Sequence, residues 1–227
     1  VTSYIPGEII KEVNGKSMSL LEFFVHSPFK DSLVEGRAEA DKNATSIVMQ
    51  ARFKYTSTAT QPSALYLFGG DADHYIWKEI QEQCTAHDND DKLNFDIFMA
   101  PHHCSWTYFN NVPYMNGETD KPVESSKTMI KDHKTNGAVI IASSKQIKKD
   151  KDNPPHHQSK EEYVKLIGAD KFISLAEEPD SKKPKPVVYE VTSSGFLRKD
   201  KNQQKGSTGA AIGSSSTSGR KSAYGCK

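Results

Sequence analysis

Leu65-Tyr-Leu-Phe-Gly-Gly-Asp71-Ala-Asp73 and, further on, Phe95-Asp-Ile-Phe-Met-Ala-Pro-His102-His103-Cys-Ser105 share one design. Each is a short apolar run, rich in β-formers, that stops abruptly at polar residues able to bind a metal. Runs of this kind read as buried strands of an α/β sheet. Ligands in such folds sit at the carboxyl ends of strands, where the chain leaves the sheet. Asp71 and the His102-His103 pair therefore stand where a metal or a phosphate would be held. The segment between them, Asp73 to Cys84, has helical spacing at Tyr75, Ile76 and Ile80, and Asp71 or Asp73 can cap its start.

Outward from this unit, Ser46 to Tyr55 alternates as a strand. Thr56 to Ser63 is a polar turn with a proline, so 46–68 reads as a hairpin. Upstream, the apolar run in Met18 to Pro28 reads as a strand ending at a Ser-Pro turn, and 30–43 as a charged, exposed loop. Downstream, 105–122 is aromatic and loop-like, 125–133 a short helix, and 137–143 a buried strand. A polar loop over 145–155 leads to a helix over 159–168, with Ser159 as N-cap, Glu161 and Glu162 in the first turn and Gly168 as the stop. A short strand over 171–174 and a pairing of 186–192 with 195–198 close the pattern. After Lys199 the composition turns to Gly, Ser, Thr and Lys, the signature of a flexible tail.

The bulk properties narrow the function classes. The 227 residues suffice for one sizeable domain, or one domain and a tail. With 35% apolar residues and a mean hydropathy of −0.67, the core must be concentrated in a few segments. Thirty basic and 29 acidic residues leave a net charge of +1, so no global field drives the chain onto nucleic acid or a membrane. Three irregularly spaced cysteines, Cys84, Cys104 and Cys226, give neither a disulfide framework nor a Cys-x-x-Cys zinc site. A reducing, cytoplasmic setting is the simpler expectation. No run is long enough to span a bilayer, and no signal peptide is evident. The chain begins at Val1, which raises the expectation of an upstream part.

Each candidate residue has a plainer role to weigh. Asp71 follows two glycines that let the backbone turn sharply and a ligand approach closely, yet Asp is also a very common helix cap. Asp73 is the better plain cap, being next to the helical segment. Imidazoles such as His102 and His103 are common zinc ligands, but one can pack and the other be solvated in a turn. Cys104 could add a soft ligand, although a small buried thiol is commoner. His156 and His157 precede a helix whose free amides could help hold an anion. A solvated loop is the plainer reading there, as it is for the lysine runs 145–151 and 182–185, which could otherwise touch phosphates.

The order of these elements is what resembles a known family. Asn43-Ala-Thr-Ser46-Ile-Val is followed by Leu67-Phe-Gly-Gly-Asp71-Ala, then by Ala100-Pro-His102-His103-Cys-Ser105. A strand at 138–142, a His-containing loop with a helix at 156–167 and a hairpin at 187–198 complete it. Over roughly 20–198 this resembles the later half of metallo-β-lactamase-fold hydrolases, closest to the branch typified by the hydrolase domain of the competence protein ComEC. That branch reads Asn-x-x-Ser before a strand, Thr-Gly-Asp at the next strand end, and His-His-Gly-Ser after the following one. This chain departs from it with Gly69 for the Thr and Cys104 for the Gly.

The resemblance implies an α/β fold, the metallo-β-lactamase-like αββα sandwich, of which 1–198 would be one half and 199–227 the Gly/Ser/Lys-rich tail. It implies that Asp71 is a bridging metal carboxylate, that His102 or His103 is the late histidine ligand, and that His156 is a catalytic-loop histidine near the site. Two divalent ions, zinc by preference, would activate a water for attack on an ester or phosphodiester, with a nucleotide or nucleic acid as substrate by analogy. The family's early His-x-His-x-Asp-His signature has no match in this chain. A complete enzyme would then take that half as its partner, from an upstream segment or a separate chain. The half present here would expose an apolar face in its absence. The rival readings are a non-catalytic interaction module of the same fold, and an unrelated α/β binding protein.

Overall fold

The computed structural model describes residues 4–29, 42–111 and 121–199. The expected tail from 200 onward and most of the 30–43 loop lie outside the described residues. Among the described residues seven strands form one mixed sheet, in which their spatial order is their chain order. In chain order these are β1 (Ile9–Ile10), β4 (Leu21–Ser27), β5 (Val48–Phe53), β6 (Ala64–Phe68), β7 (Phe95–Met99), β8 (Lys134–Ala142) and β9 (Phe172–Ser174). A small hairpin of β2 (Glu12–Val13) and β3 (Lys16–Ser17) lies between β1 and β4 in sequence. From β1 to β6 neighbours are antiparallel; from β6 to β9 they are parallel.

The parallel half follows from its connections, because parallel neighbours need a crossover and each crossover here carries a helix. These are α1 (His74–Ala86), α2 (Glu124–His133) and α3 (His157–Ile167). The helices pack α1 on α2 and α2 on α3, along one face of the sheet. That face holds the main core: Leu67, Phe98 and Ile140 from the strands meet Trp77 and Ile80 of α1, Met129 of α2 and Tyr163 of α3. The aromatic loop after His103 is part of this core. Trp106, Tyr108 and Phe109 are almost wholly buried, Tyr108 stacking on Tyr163 at 5.6 Å between centroids.

Local chemistry sets the element ends. Asp73 caps α1, its Oδ1 accepting from Tyr75 N–H (2.9 Å) and Ile76 N–H (3.1 Å). Gly168, at φ 93°, terminates α3. That helix is capped three residues earlier than the sequence suggests. His156 is its N-cap, whereas Ser159 lies inside the first turn and donates its hydroxyl to Ser105 O (2.7 Å), and Glu161 and Glu162 fall beyond that turn. A tertiary acceptor for the hydroxyl displaced the local capping role. The register of β7 on β8 shifts between Phe95 and Ile97, and there the Asp96 carboxylate accepts from Leu65 N–H (2.7 Å) and Thr135 Oγ1 (2.6 Å). Asp96 thus stitches β6 and β8 across β7.

The opposite face is covered by different means. β10 (Tyr189–Thr192) and β11 (Gly195–Arg198) form an antiparallel hairpin whose Tyr189 and Phe196 pack over Ile97, Ile141 and Ile173. By the two-residue period of the strands, Phe23, Met49 and Phe68 share that face; the first two are only partly buried and Phe68 is exposed. Among the described residues no helix is long and apolar enough to cross a membrane.

Candidate functional site

The site is built at the carboxyl ends of β6 and β7. These strands are parallel neighbours, with Phe68 opposite Met99, so the turns leaving them are brought side by side. The turn after β6 is Gly69-Gly70, and both glycines are sterically required. A Cβ at Gly69 would stand 2.6 Å from Met99 O and 2.7 Å from Pro101 Cγ. Gly70 has φ +53°, and a Cβ there would meet Ile47 O at 2.6 Å. The compact turn delivers Asp71, while Gly70 O accepts from His102 N–H at 2.8 Å and so locks the two turns together.

The second turn has an unusual backbone. His102, His103 and Cys104 all lie in the left-handed region, at φ 47°, 55° and 69°. Non-glycine residues enter this region at a cost of roughly 1–2 kcal/mol each, and such strain clusters at functional sites. The result is to separate the two imidazoles, whose centroids are 6.3 Å apart. His102 Nδ1 lies 3.4 Å from Thr107 Oγ1. His103 instead places Nε2 3.9 Å from Asp71 Oδ1, with both side chains about half exposed.

His103 Nδ1 is 2.7 Å from Ser143 O, at the end of β8. A carbonyl only accepts, so Nδ1 must carry the proton. In the neutral ring the lone pair is then on Nε2, facing Asp71. A ligating histidine is commonly oriented in this way. His103, Ser143, Ser144, Lys145, Pro154 and Pro155 line a shallow cleft of about 400 Å³.

Of the residues singled out by sequence, the structure brings Asp71 and His103 together. His102 flanks them without facing the carboxylate, and Cys104 is a buried thiol whose pKa burial pushes up to about 12, unsuited to ligation as thiolate. His156 lies behind the turn: its N–H donates to Cys104 O (3.0 Å), and its buried ring packs with Trp106 and His157. Burial, aided by the neighbouring His157, holds its pKa below the usual value. Sequence reasoning missed the Ser143 carbonyl and Asn153. Asn153 Oδ1 accepts from Ser105 Oγ (2.8 Å) and Trp106 N–H (3.0 Å), tying the later loop to the histidine turn. A backbone acceptor leaves no trace in residue type; an Asn before Pro-Pro reads simply as a turn.

The donor set fits part of a metal shell: one carboxylate and one oriented imidazole. Among the described residues no group of three or more His, Cys, Asp or Glu side chains is gathered to hold a metal ion, whereas catalytic zinc usually takes three protein ligands. No protein-family model, curated protein or solved structure matches the chain.

Proposed function

We propose that this chain is the later half of a metallo-β-lactamase-fold hydrolase of the ComEC-like branch, acting on a phosphodiester or related ester once the earlier half supplies the His-x-His-x-Asp-His ligands. The carrying observation is His103, anchored through Nδ1 on Ser143 O and presenting Nε2 to Asp71 at 3.9 Å. The partly covered apolar face opposite the helices supports the same reading, since it is where a second sheet would pack. In this reading Asp71 and His103 would hold the divalent metal, zinc by preference, together with the earlier ligands. When bound, the metal supplies an activated water and stabilises charge developing on the ester. Ser143 O fixes the ring of His103, His102 braces the turn through its N–H to Gly70 O, and His156 positions the turn from behind.

The chain alone is expected to bind zinc weakly and to lack hydrolytic activity. In zinc titrations followed by histidine ring NMR, Asp71→Ala and His103→Ala should abolish the weak binding and His102→Ala should retain most of it. A longer protein carrying both halves should take up metal fully and hydrolyse a phosphodiester reporter. If that protein never takes up metal, the non-catalytic interaction module is the right reading.

A further inference from the structure

The helical face of the sheet is not packed evenly. Phe98 of β7 meets Trp77 of α1 edge-on, with centroids 5.3 Å apart. Phe24 of β4, although only 3% exposed, joins neither apolar core among the described residues. Between β4 and α1 there is instead a cavity of about 870 Å³, within the size range of small-molecule sites. One wall is the chain from Tyr4 to Glu8. It is fixed by Gly7 N–H to Val25 O (2.9 Å), Val25 N–H to Glu8 O (3.0 Å) and Ile5 N–H to the Glu8 carboxylate (3.0 Å). The other wall is a single stripe of α1, in which Ile80, Gln83, Cys84 and the C-cap His87 stand at i, i+3, i+4 and i+7. Phe24 and His26 form the floor, and Phe29, just past β4, adds a further ring.

The two buried polar side chains of this lining satisfy each other. His26 Nε2 donates to Lys92 O (3.0 Å), so Nδ1 carries the lone pair and accepts the Cys84 thiol proton at 3.6 Å. They offer a ligand carbon and sulfur rather than a hydrogen bond. Burial lowers the His26 pKa to about 4, so the floor is uncharged at neutral pH. Among the described residues no lysine or arginine lines the cavity, and its one carboxylate, Glu8, is on the exposed wall. Lys92, with Nζ 6.0 Å from the Phe24 ring, is outside the lining and pairs with Asp91. We propose that this cavity binds a neutral aromatic small molecule, contacted by the rings of Tyr4, Phe24 and Phe29 and by the Cys84 sulfur. An anion such as a fatty acid would lose its hydration beside a carboxylate with no cation to pair it. Water is a poor occupant, because each molecule needs several polar partners. Asp71 and His103 take no part, so the site stands apart from the hydrolase reading.

The test uses two probes with the same rings, neutral phenylnaphthylamine and anionic anilinonaphthalene sulfonate. Each is titrated with the 227-residue chain in chelator and followed by probe fluorescence. Phenylnaphthylamine should saturate with a dissociation constant of roughly 100 µM or tighter, and the sulfonate should bind about tenfold or more weakly. Amide NMR shifts caused by phenylnaphthylamine should concentrate at 5–8, 24–26 and 80–87. Gln83→Trp and Ile5→Trp, made separately, place a large ring into the cavity from its two walls. Both positions are exposed, so folding should survive, and circular dichroism would verify it. Each should weaken phenylnaphthylamine binding about tenfold. Unsaturable uptake, equal affinity for the sulfonate, or unchanged affinity in both folded variants would overturn the proposal. So would NMR shifts centred instead on Tyr66, Ile141 and Phe196 of the opposite face. A parent that binds neither probe, beside a Leu33→Ser, Val34→Ser variant that binds phenylnaphthylamine, would overturn it in favour of the chain's own segment after Phe29 as the occupant. With no metal present, the result is independent of the zinc titration that tests the hydrolase reading.

Discussion

At the scale of single residues, the left-handed run His102-His103-Cys104 concentrates the cost of building the site. The run is held by hydrogen bonds from His102 N–H to Gly70 O (2.8 Å), Cys104 N–H to Pro101 O (3.1 Å) and Ser105 N–H to His102 O (3.0 Å). At position 104 the φ of 69° favours a residue without Cβ. Cys104→Gly should leave stability within ~1 kcal/mol, relief of strain offsetting lost packing, whereas Cys104→Val should cost more than ~2 kcal/mol because a β-branched residue resists this conformation; urea unfolding would measure both. His26 gives a pH prediction. Burial drives its pKa down to about 4, with the nearby His133 and Lys92 charges adding to the effect and the Lys92 carbonyl opposing it. Its ring sits between Lys92 O (3.0 Å) and Cys84 Sγ (3.6 Å). The unfolded chain therefore binds the proton more readily. The stability from keeping His26 neutral is complete above pH ~6.5 and is lost as pH falls from there toward 4. Between pH 7 and 5 the loss should be on the order of 2 kcal/mol. His26→Leu should show a shallower fall over this range in the same urea series, and an unchanged fall would remove His26 as its source.

At the scale of elements, two turns and one loop must be aligned before any chemistry is available. Gly69→Ala would force its Cβ against Met99 O at 2.6 Å, a backbone atom that cannot step aside without moving β7. It should cost ~2 kcal/mol or more and shift the ring resonances of His103, since the Gly70 O bond to His102 N–H would move with it. Asn153→Ala should be milder in stability, ~1–2 kcal/mol for two hydrogen bonds, but should raise amide exchange selectively across 144–156 and 105–107. Exchange unchanged in those segments would show that Asn153 does not couple them. The aromatic segment after Ser105 teaches a related point: it is irregular in backbone, yet Trp106, Tyr108 and Phe109 together plug the gap between α2, α3 and the sheet.

At the scale of the whole molecule, the two faces of the sheet are unequal. Among the described residues the helical face is sealed by a large continuous core, while the other has the β10–β11 hairpin over only part of it. Phe196 is the centre of that cover, with ring centroids 5.5 Å from Phe53 and 6.0 Å from Tyr189. Phe196→Ala should destabilise by ~3 kcal/mol and increase binding of an apolar dye, as Tyr66, Met99 and Ile141 become more accessible. A variant that lost stability without gaining dye binding would show that the face rearranges to close itself.

The sequence by itself determined strands over 46–55, 64–68 and 95–100, a helix over 73–84 between the last two with Asp71 or Asp73 as its cap, and the closing hairpin, because apolar period, caps and glycines act locally. It also marked Asp71 and the histidine pair, since a buried run that breaks at metal-binding side chains is visible in residue order alone. It did not show β1 to β3, whose two-residue strands carry no pattern, nor the first three residues of β8, Lys134 to Asn136, which are polar and extended only because they pair beside β7. Only the tertiary structure decided between His102 and His103 as the partner of Asp71. The two are adjacent in sequence and chemically identical. What separates them is the left-handed backbone between β7 and the core, and the Ser143 carbonyl just past β8, which side-chain identity cannot encode.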